Sequence, residues 1–504
     1  MMTVFRFPTI VLHVFKSYAY TILAWSLIVV FTVACDSREE IDILAEDYVK
    51  TVLNLNELSE GELDSYFGSL DFEPDSTASI QELGSLVVKL EGQAASISDP
   101  TNIDRISGLS NDLKHLKNLL YFIQDPESMT FAEEASLLYG LNLDELEDST
   151  RLSDDGRVEF IERPKTDLEK RTEEVVDLLE ELLPGQGSLP FRIADFQSKF
   201  IVPIEKREEV FETALNLCKE ATEEYWELPE ESSIELDWTR DVTVPWHTFE
   251  GNGLSVIRIN PLYLGYIGSM IDVACHEGFP GHHVQLSMIE KEAIHRNTNY
   301  PERQMVLLRS PLSALLEGAA DFAVDLAFPP NKRLMVEKEI LFPMAGLEVA
   351  SAEKYLEIHR LVKELAPATI PTLQAFADEQ LPKIAASVRL ENEFLISSPM
   401  ALLDHVENFS AYSVGYTLAY QQIEKYIHAK TSSKAEEWAV LKEAKKNEEV
   451  IEDKGVKVFI DANAVMYLLG TEMDYKKEEF SSAFVFNNPN ETERCGCGES
   501  FKID

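Results

Sequence analysis

Cysteine is scarce in this sequence, with five among 504 residues, at positions 35, 218, 275, 495 and 497. So few, so widely scattered, exclude the disulfide framework that staples small secreted domains. Basic residues are also short, 45 Lys and Arg against 89 Asp and Glu, for a formal net charge of −44. Nucleic acid is therefore a poor partner, because phosphate binding relies on clustered cations and counterion release. The acidity bears on solubility rather than on fold. No internal repeat is visible. What is present is a hydrophobic content of 45%, ordinary for a globular protein, in a chain long enough for two or three domains.

The N-terminus carries Arg6 and Lys16, then the apolar run AYTILAWSLIVVFTVA from Ala19 to Ala34, ending at Cys35. A basic region, an apolar core and small residues before a cut describe a secretory signal. The stretch TVAC resembles the lipobox of bacterial lipoproteins, with Thr32 where Leu is usual, and the resemblance implies lipidation at Cys35. Asp36 beside it resembles the inner-membrane retention signal of enteric bacteria. An uncleaved membrane anchor is the alternative, since the run matches the shorter spanning helices, and a soluble secreted form is a third reading. Each places the body outside the cytoplasm, facing the periplasm or exterior.

From Glu39 to about Leu183 apolar residues recur at three- and four-residue spacing, which predicts amphipathic helices. Turn signals stand at DFEPDS, SDPTN and PGQGSLP. Helix continues through VFETALNLCKEATEEYWEL. Short β-branched runs flank Gly251-Asn252-Gly253 and predict a hairpin or a pair of short strands. Asn260 is placed to cap a helix whose first turn takes Pro261 and whose far end delivers His276 and Glu277. Helix is expected again from Pro301 to Leu326, interrupted at Ser310-Pro311, and from Ser351 to Ile427. The fold class expected is mainly α, with a short strand element before the active helix and a small β-rich module at the C-terminus. The organisation expected is a signal and lipobox over 1–35, a helical domain over 36–447 and the partial module over 448–504.

The octet HEGFPGHH, His276 to His283, begins like the zinc-protease signature H-E-x-x-H and then departs from it, with Pro280 where the second ligand belongs. A catalytic zinc takes three protein ligands and keeps one position open, with a carboxylate nearby to accept a proton. His276 and Glu277 fit the first ligand and the base. On a continuous helix of about 100° per residue His283 returns to the face of His276, but seven residues rise about 10.5 Å, long for two ligands of one metal. A break at Pro280-Gly281 turns His282 inward instead. Both histidines stand as candidates. Glu317, on the apolar segment SALLEGAADFAVDLAF, is the candidate third ligand, because a carboxylate in such surroundings needs a partner. Asp321, one turn on, is placed to accept the outer N–H of a ligand histidine. His247 and His405 lack companions at metal spacing and read as structural or surface residues, and Cys275 as a small buried hydrophobe.

Together HEGFPGHH, LLEGAADF and AYSVGYTLAYQQI resemble the bacterial family called domain of unknown function 885, over roughly residues 40 to 445. The resemblance implies a helical, zincin-like metallopeptidase scaffold akin to thimet oligopeptidases and Taq-type carboxypeptidases, and its Gly-His match favours His282. Ala319 stands where that family usually carries Trp, which bears on pocket shape. Tyr412 then becomes a candidate to stabilise a developing oxyanion, with Tyr416 a weaker second.

The tail differs. GVKVFIDANAVMYLLGTEMDY, FVFNNPN and CGCGESF resemble the C-terminal half of A-type iron-sulfur cluster carriers of the HesB kind. The resemblance makes Cys495 and Cys497 thiolate ligands for iron or a cluster. Two thiols cannot fill four coordination positions, so oligomers or other iron-sulfur proteins would be partners. Such carriers work in reducing compartments, whereas the leader points to an oxidising one, which makes the tail look fused onto the body. The function expected is zinc-dependent hydrolysis of peptides by a membrane-anchored metallopeptidase. The alternatives are a non-catalytic binding lipoprotein of the same fold, or iron-sulfur cluster assembly through the tail.

Overall fold

The computed structural model describes residues 39–444, short stretches such as 144–149, 153–157, 161–164 and 296–299 excepted, and the backbone of strands between 448 and 503. Cys35, Cys495 and Cys497 lie outside the described residues, as does the apolar run at 19–34. Among those described, no helix is long and apolar enough to cross a membrane.

The body is mainly helical, and its first half follows directly from local sequence. Helix α1 (Glu40–Leu58) buries Leu44, Tyr48, Val52 and Leu55, a stripe at helical spacing. After a short strand β1 (Leu63–Tyr66), α2 (Ile80–Ser96) starts at a capping box in which Ser79 and Glu82 satisfy each other's backbone N–H. Helix α3 (Ile103–Gln124) packs on α2, and α4 (Phe131–Tyr139) opens with a second capping box, Thr130 with Glu133. Helix α5 (Asp167–Leu182) forms a satellite core with a later helix, Val175 and Leu179 meeting Ile358 and Leu361. Helix α6 (Arg207–Glu223) leads to the sheet.

Three strands, β2 (Ser233–Trp238), β3 (Trp246–Gly251) and β4 (Leu254–Ile259), form a sheet in the order β2-β4-β3. β2 runs parallel to β4, with Ser233 opposite Leu254 and Trp238 opposite Ile259. β3 and β4 are the expected hairpin, turning through Asn252 and Gly253 in the left-handed region. Helix α7 (Gly268–Glu277) then carries His276 and Glu277. It starts later than Pro261. Asn260 accepts from Leu262 N and donates to Val242 O, so it shapes a turn instead of capping a helix.

Helix α8 (His282–His295) follows a four-residue break, and β5 (Met305–Leu307) pairs antiparallel with β1 where helix was expected. The run Met305 to Leu307 is apolar at every position, a pattern that periodicity cannot assign to strand or helix. Helix α9 (Pro311–Ala327) is buried on nearly every face, as its sequence of small and apolar residues requires. A Cβ on Gly318 would stand 2.5 Å from the backbone of Ala419 and Tyr420, so the 415–419 segment lies directly against α9. Helices α10 (Ala352–Lys363), α11 (Pro399–Phe409), α12 (Tyr420–Lys430) and α13 (Lys434–Ala444) are among those that follow, and Trp438 of α13 is buried and stacked on Tyr225. Beyond it the strands form three antiparallel pairs, 448–453 with 456–461, 472–477 with 482–487, and 491–494 with 501–503.

Cys275 is buried, as expected, but not as a free thiol. It is disulfide-bonded to Cys218, 57 residues earlier, with the Cα atoms 5.3 Å apart. The bridge ties α7 to α6 at the residue before His276. It corrects the reading of Cys275 as a simple hydrophobe: scattered cysteines form no framework, yet one pair meets across a helix contact that spacing does not reveal. Cys218→Ser with Cys275→Ser is expected to cost roughly 2–4 kcal/mol in chemical denaturation.

Candidate metal centre

The centre is built where α7 ends. Gly278 donates to Ala274 O as the helix finishes, and Gly281 N donates to Cys275 O, folding the chain back over the last turn. A Cβ on Gly281 would fall 1.7 Å from His276 O, so only glycine fits this approach. The break replaces the long climb of a continuous helix. His282, at the start of α8, comes to face His276, with ring centroids 4.6 Å apart and planes at 89°.

His276 Nε2 lies 3.1 Å from Glu317 Oε2, and His282 Nε2 lies 3.4 Å from Glu317 Oε1. These separations match the donor set of a metal. Two ligands each about 2.0–2.1 Å from a tetrahedral zinc stand about 3.3 Å apart. His276, Glu277 and His282 also place one ligand-type atom each within 4.8 Å of one another. Glu277 is therefore close enough to be either a base or a ligand.

The outer nitrogens are occupied. His276 Nδ1 is 3.1 Å from Asp321 Oδ1, and His282 Nδ1 is 3.0 Å from Gln285 Oε1, whose amide donates to Leu316 O. Such partners fix ring orientation and leave Nε2 toward the centre. His283 is excluded from the cluster by its own bonds. Its Nε2 meets Ser232 Oγ at 2.6 Å and its Nδ1 meets Ser255 Oγ at 2.7 Å, so it fastens α8 to the sheet. Burial holds its pKa down to about 4, keeping the imidazole neutral. Of the two candidates, His282 is the one that faces His276 and Glu317.

The charges reinforce one another. Burial alone would raise the Glu317 pKa, but His282 and His276 hold it well below the usual carboxylate range. Burial alone would lower that of His276, but Asp321 and Glu317 hold it well above the usual imidazole value. A buried site that favours an anion beside two nitrogen donors suits a cation. Glu277 is raised above an ordinary carboxylate, chiefly by burial and against the pull of His276 and His282, the direction that suits a proton acceptor near neutral pH.

Tyr412 lines the cavity over the centre. Its hydroxyl donates to Glu317 Oε1, while Tyr416 packs against the His276 ring at 6.0 Å. Three residues join the site without having been singled out as functional. Asp64 on β1 lines the cavity with its pKa raised to about 6 by burial, against the pull of His282. His247 of β3 meets Ser255 Oγ at 2.8 Å, and His405 of α11 keeps a buried Nε2 without a hydrogen-bond partner. No local pattern marks them, because each arrives from a distant element.

The family model and the curated relatives match a different part of the chain. Residues 417–499 match the family described as iron-sulphur cluster biosynthesis. Iron-binding protein IscA of Xenorhabdus nematophila is 54% identical over 56 residues, covering 11% of this chain and 52% of that protein. Iron-sulfur cluster assembly 1 homolog, mitochondrial, of Homo sapiens is 63% identical over 57 residues, covering 11% of this chain and 43% of that protein. The chain thus spans about half the length of the curated relatives it matches. A solved chain from Colwellia psychrerythraea aligns over 73% of this chain and 64% of its own, with 12% identity and a TM-score of 0.39, too distant to inform the fold. The family match begins at 417, inside helices that pack with the body, where Ile427, Trp438 and Leu441 are buried. The C-terminal segment is similar to the iron-sulphur cluster biosynthesis family.

Proposed function

We propose that the helical body is a zinc-dependent hydrolase of peptide bonds on a zincin-like scaffold. The observation that carries this reading is the convergence of His276, His282 and Glu317, with Glu277 beside them, at separations suited to one small cation. In this reading His276, His282 and Glu317 hold zinc. When bound, zinc supplies Lewis acidity that polarises a substrate carbonyl and makes water easier to deprotonate. Glu277 takes the proton from the attacking water and passes it to the leaving amine. Asp321 and Gln285 keep the two imidazoles oriented. Tyr412 fixes the Glu317 carboxylate through its hydrogen bond. β3 is an outer strand that brings Trp246 and His247 to the cavity wall, where a peptide backbone would pair.

We place this body outside the cytoplasm, anchored to a membrane through Cys35, a reading supported by the leader and by the Cys218–Cys275 disulfide. The test is to purify the full chain, load it with zinc and digest a peptide library. About one zinc per chain with cleavage supports the proposal, and a zinc-loaded chain that cleaves nothing refutes it.

A second reading rests on the family match at 417–499. In it the tail binds iron or an iron-sulfur cluster through Cys495 and Cys497, with other chains completing the coordination. For the tail, the comparisons favour this over any role in hydrolysis. Anaerobic reconstitution should then give a coloured protein, with the colour lost on Cys495→Ser with Cys497→Ser and kept on Glu277→Gln. A colourless product after reconstitution would remove this reading.

A further inference from the structure

The cavity over the candidate centre measures about 80 Å³ and is lined by residues from several elements. Three carboxylates face it, Asp64, Glu277 and Glu317, and among the described residues no Lys or Arg does. Ser65 Oγ donates to Asp64, which is half-buried and open to the cavity. Resting on the hydrolase reading, Glu317 is engaged in holding the cation and Glu277 in taking the proton of the attacking water, which leaves Asp64 as the carboxylate of the cavity wall with no task there beyond its bond from Ser65. A carboxylate so placed favours a ligand that brings it a positive charge.

The ends of a peptide differ sharply in what they offer this wall. A terminal carboxylate would meet like charge and find no guanidinium or ammonium to hold it. An internal segment offers Asp64 neutral amide donors but no charge. A free α-amino group is protonated near neutral pH and donates three hydrogen bonds, the chemistry an isolated carboxylate selects. We propose that Asp64 is a specificity-determining residue that binds the α-ammonium of the substrate, so that the centre acts on short peptides from their free amino end.

The experiment uses one short peptide in three forms, unmodified, N-acetylated and C-amidated, with the zinc-loaded full chain. Hydrolysis is read in the wild type, and binding is read by calorimetry on Glu277→Gln, which holds substrate without turnover. Removing one charge-assisted hydrogen-bonded contact should cost on the order of 10- to 100-fold. N-acetylation should therefore lower both kcat/KM and affinity by that factor, C-amidation should change them less than about threefold on the same scale, and Asp64→Asn should erase the difference between free and acetylated forms. Equal handling of the free and acetylated peptides, or a loss confined to C-amidation, overturns the role of Asp64 while leaving the hydrolase reading intact. Failure of the wild type to cleave any form overturns both.

Discussion

Glu277→Gln is expected to lower kcat for peptide hydrolysis on the order of 10³-fold, within the range that a positioned general base contributes, while the zinc content stays near one per chain. The side chain keeps its shape and loses only its ability to take a proton. Burial raises the Glu277 pKa above the ordinary carboxylate value, against the pull of the two histidines. The zinc measurement matters as much as the rate. Because Glu277 shares the cluster with His276 and His282, a fall in bound zinc would make it a ligand instead of a base. An unchanged rate would remove it from the mechanism.

Gly281→Ala is expected to abolish zinc binding and to destabilise the body on the order of 5 kcal/mol, the extreme of single substitutions. The added methyl would overlap His276 O at 1.7 Å and Cys275 O at 2.5 Å. Both are backbone atoms of the last turn of α7, so no side-chain rotation relieves the clash. Either the turn opens, which carries His282 away from His276, or α7 frays at His276. Thermal unfolding and metal analysis of the variant check this together. Gly415→Ala is the control: its new methyl would find its nearest neighbour at 3.5 Å, an ordinary contact, although the residue also lies near Glu317. A Gly281→Ala protein with wild-type Tm and zinc would show that the turn does not set the site.

Much of the candidate cluster's geometry was legible because its residues are compact in sequence. His276, Glu277, Glu317 and Asp321 lie on two helices whose periodicity is plain, and a helix register places Glu317 and Asp321 on one face. The choice between His282 and His283 was not legible. It depends on how four residues, Gly278 to Gly281, fold back, and a backbone turn of that kind has no hydrophobic signature. Asp64 was invisible for another reason. It sits on β1, which owes its existence to pairing with β5 some 240 residues away, as Leu63 opposite Leu307 illustrates. Long-range pairing leaves no local trace, and the same holds for Cys218 and Cys275.

The helices at 40–139 were readable from apolar stripes, whereas Pro261 misled. Proline suits a first helical turn, but here Asn260 spends its side chain on a turn and α7 waits until Gly268. In the tail, the motifs around Cys495 and Cys497 pointed to the cluster-carrier likeness that the family match now supports for residues 417–499. In the readings proposed above, the body would offer a metal nitrogen and oxygen donors and the tail sulfur.

That difference gives the most direct measurement. X-ray absorption at the zinc edge of the full chain, loaded with one zinc per chain, reads the donor atoms around the metal. The account predicts a shell of nitrogen and oxygen at about 2.0–2.1 Å with an imidazole signature and no sulfur, and its loss on His282→Ala with Glu317→Ala. A sulfur shell near about 2.3 Å, or a spectrum unchanged by those substitutions, would contradict it.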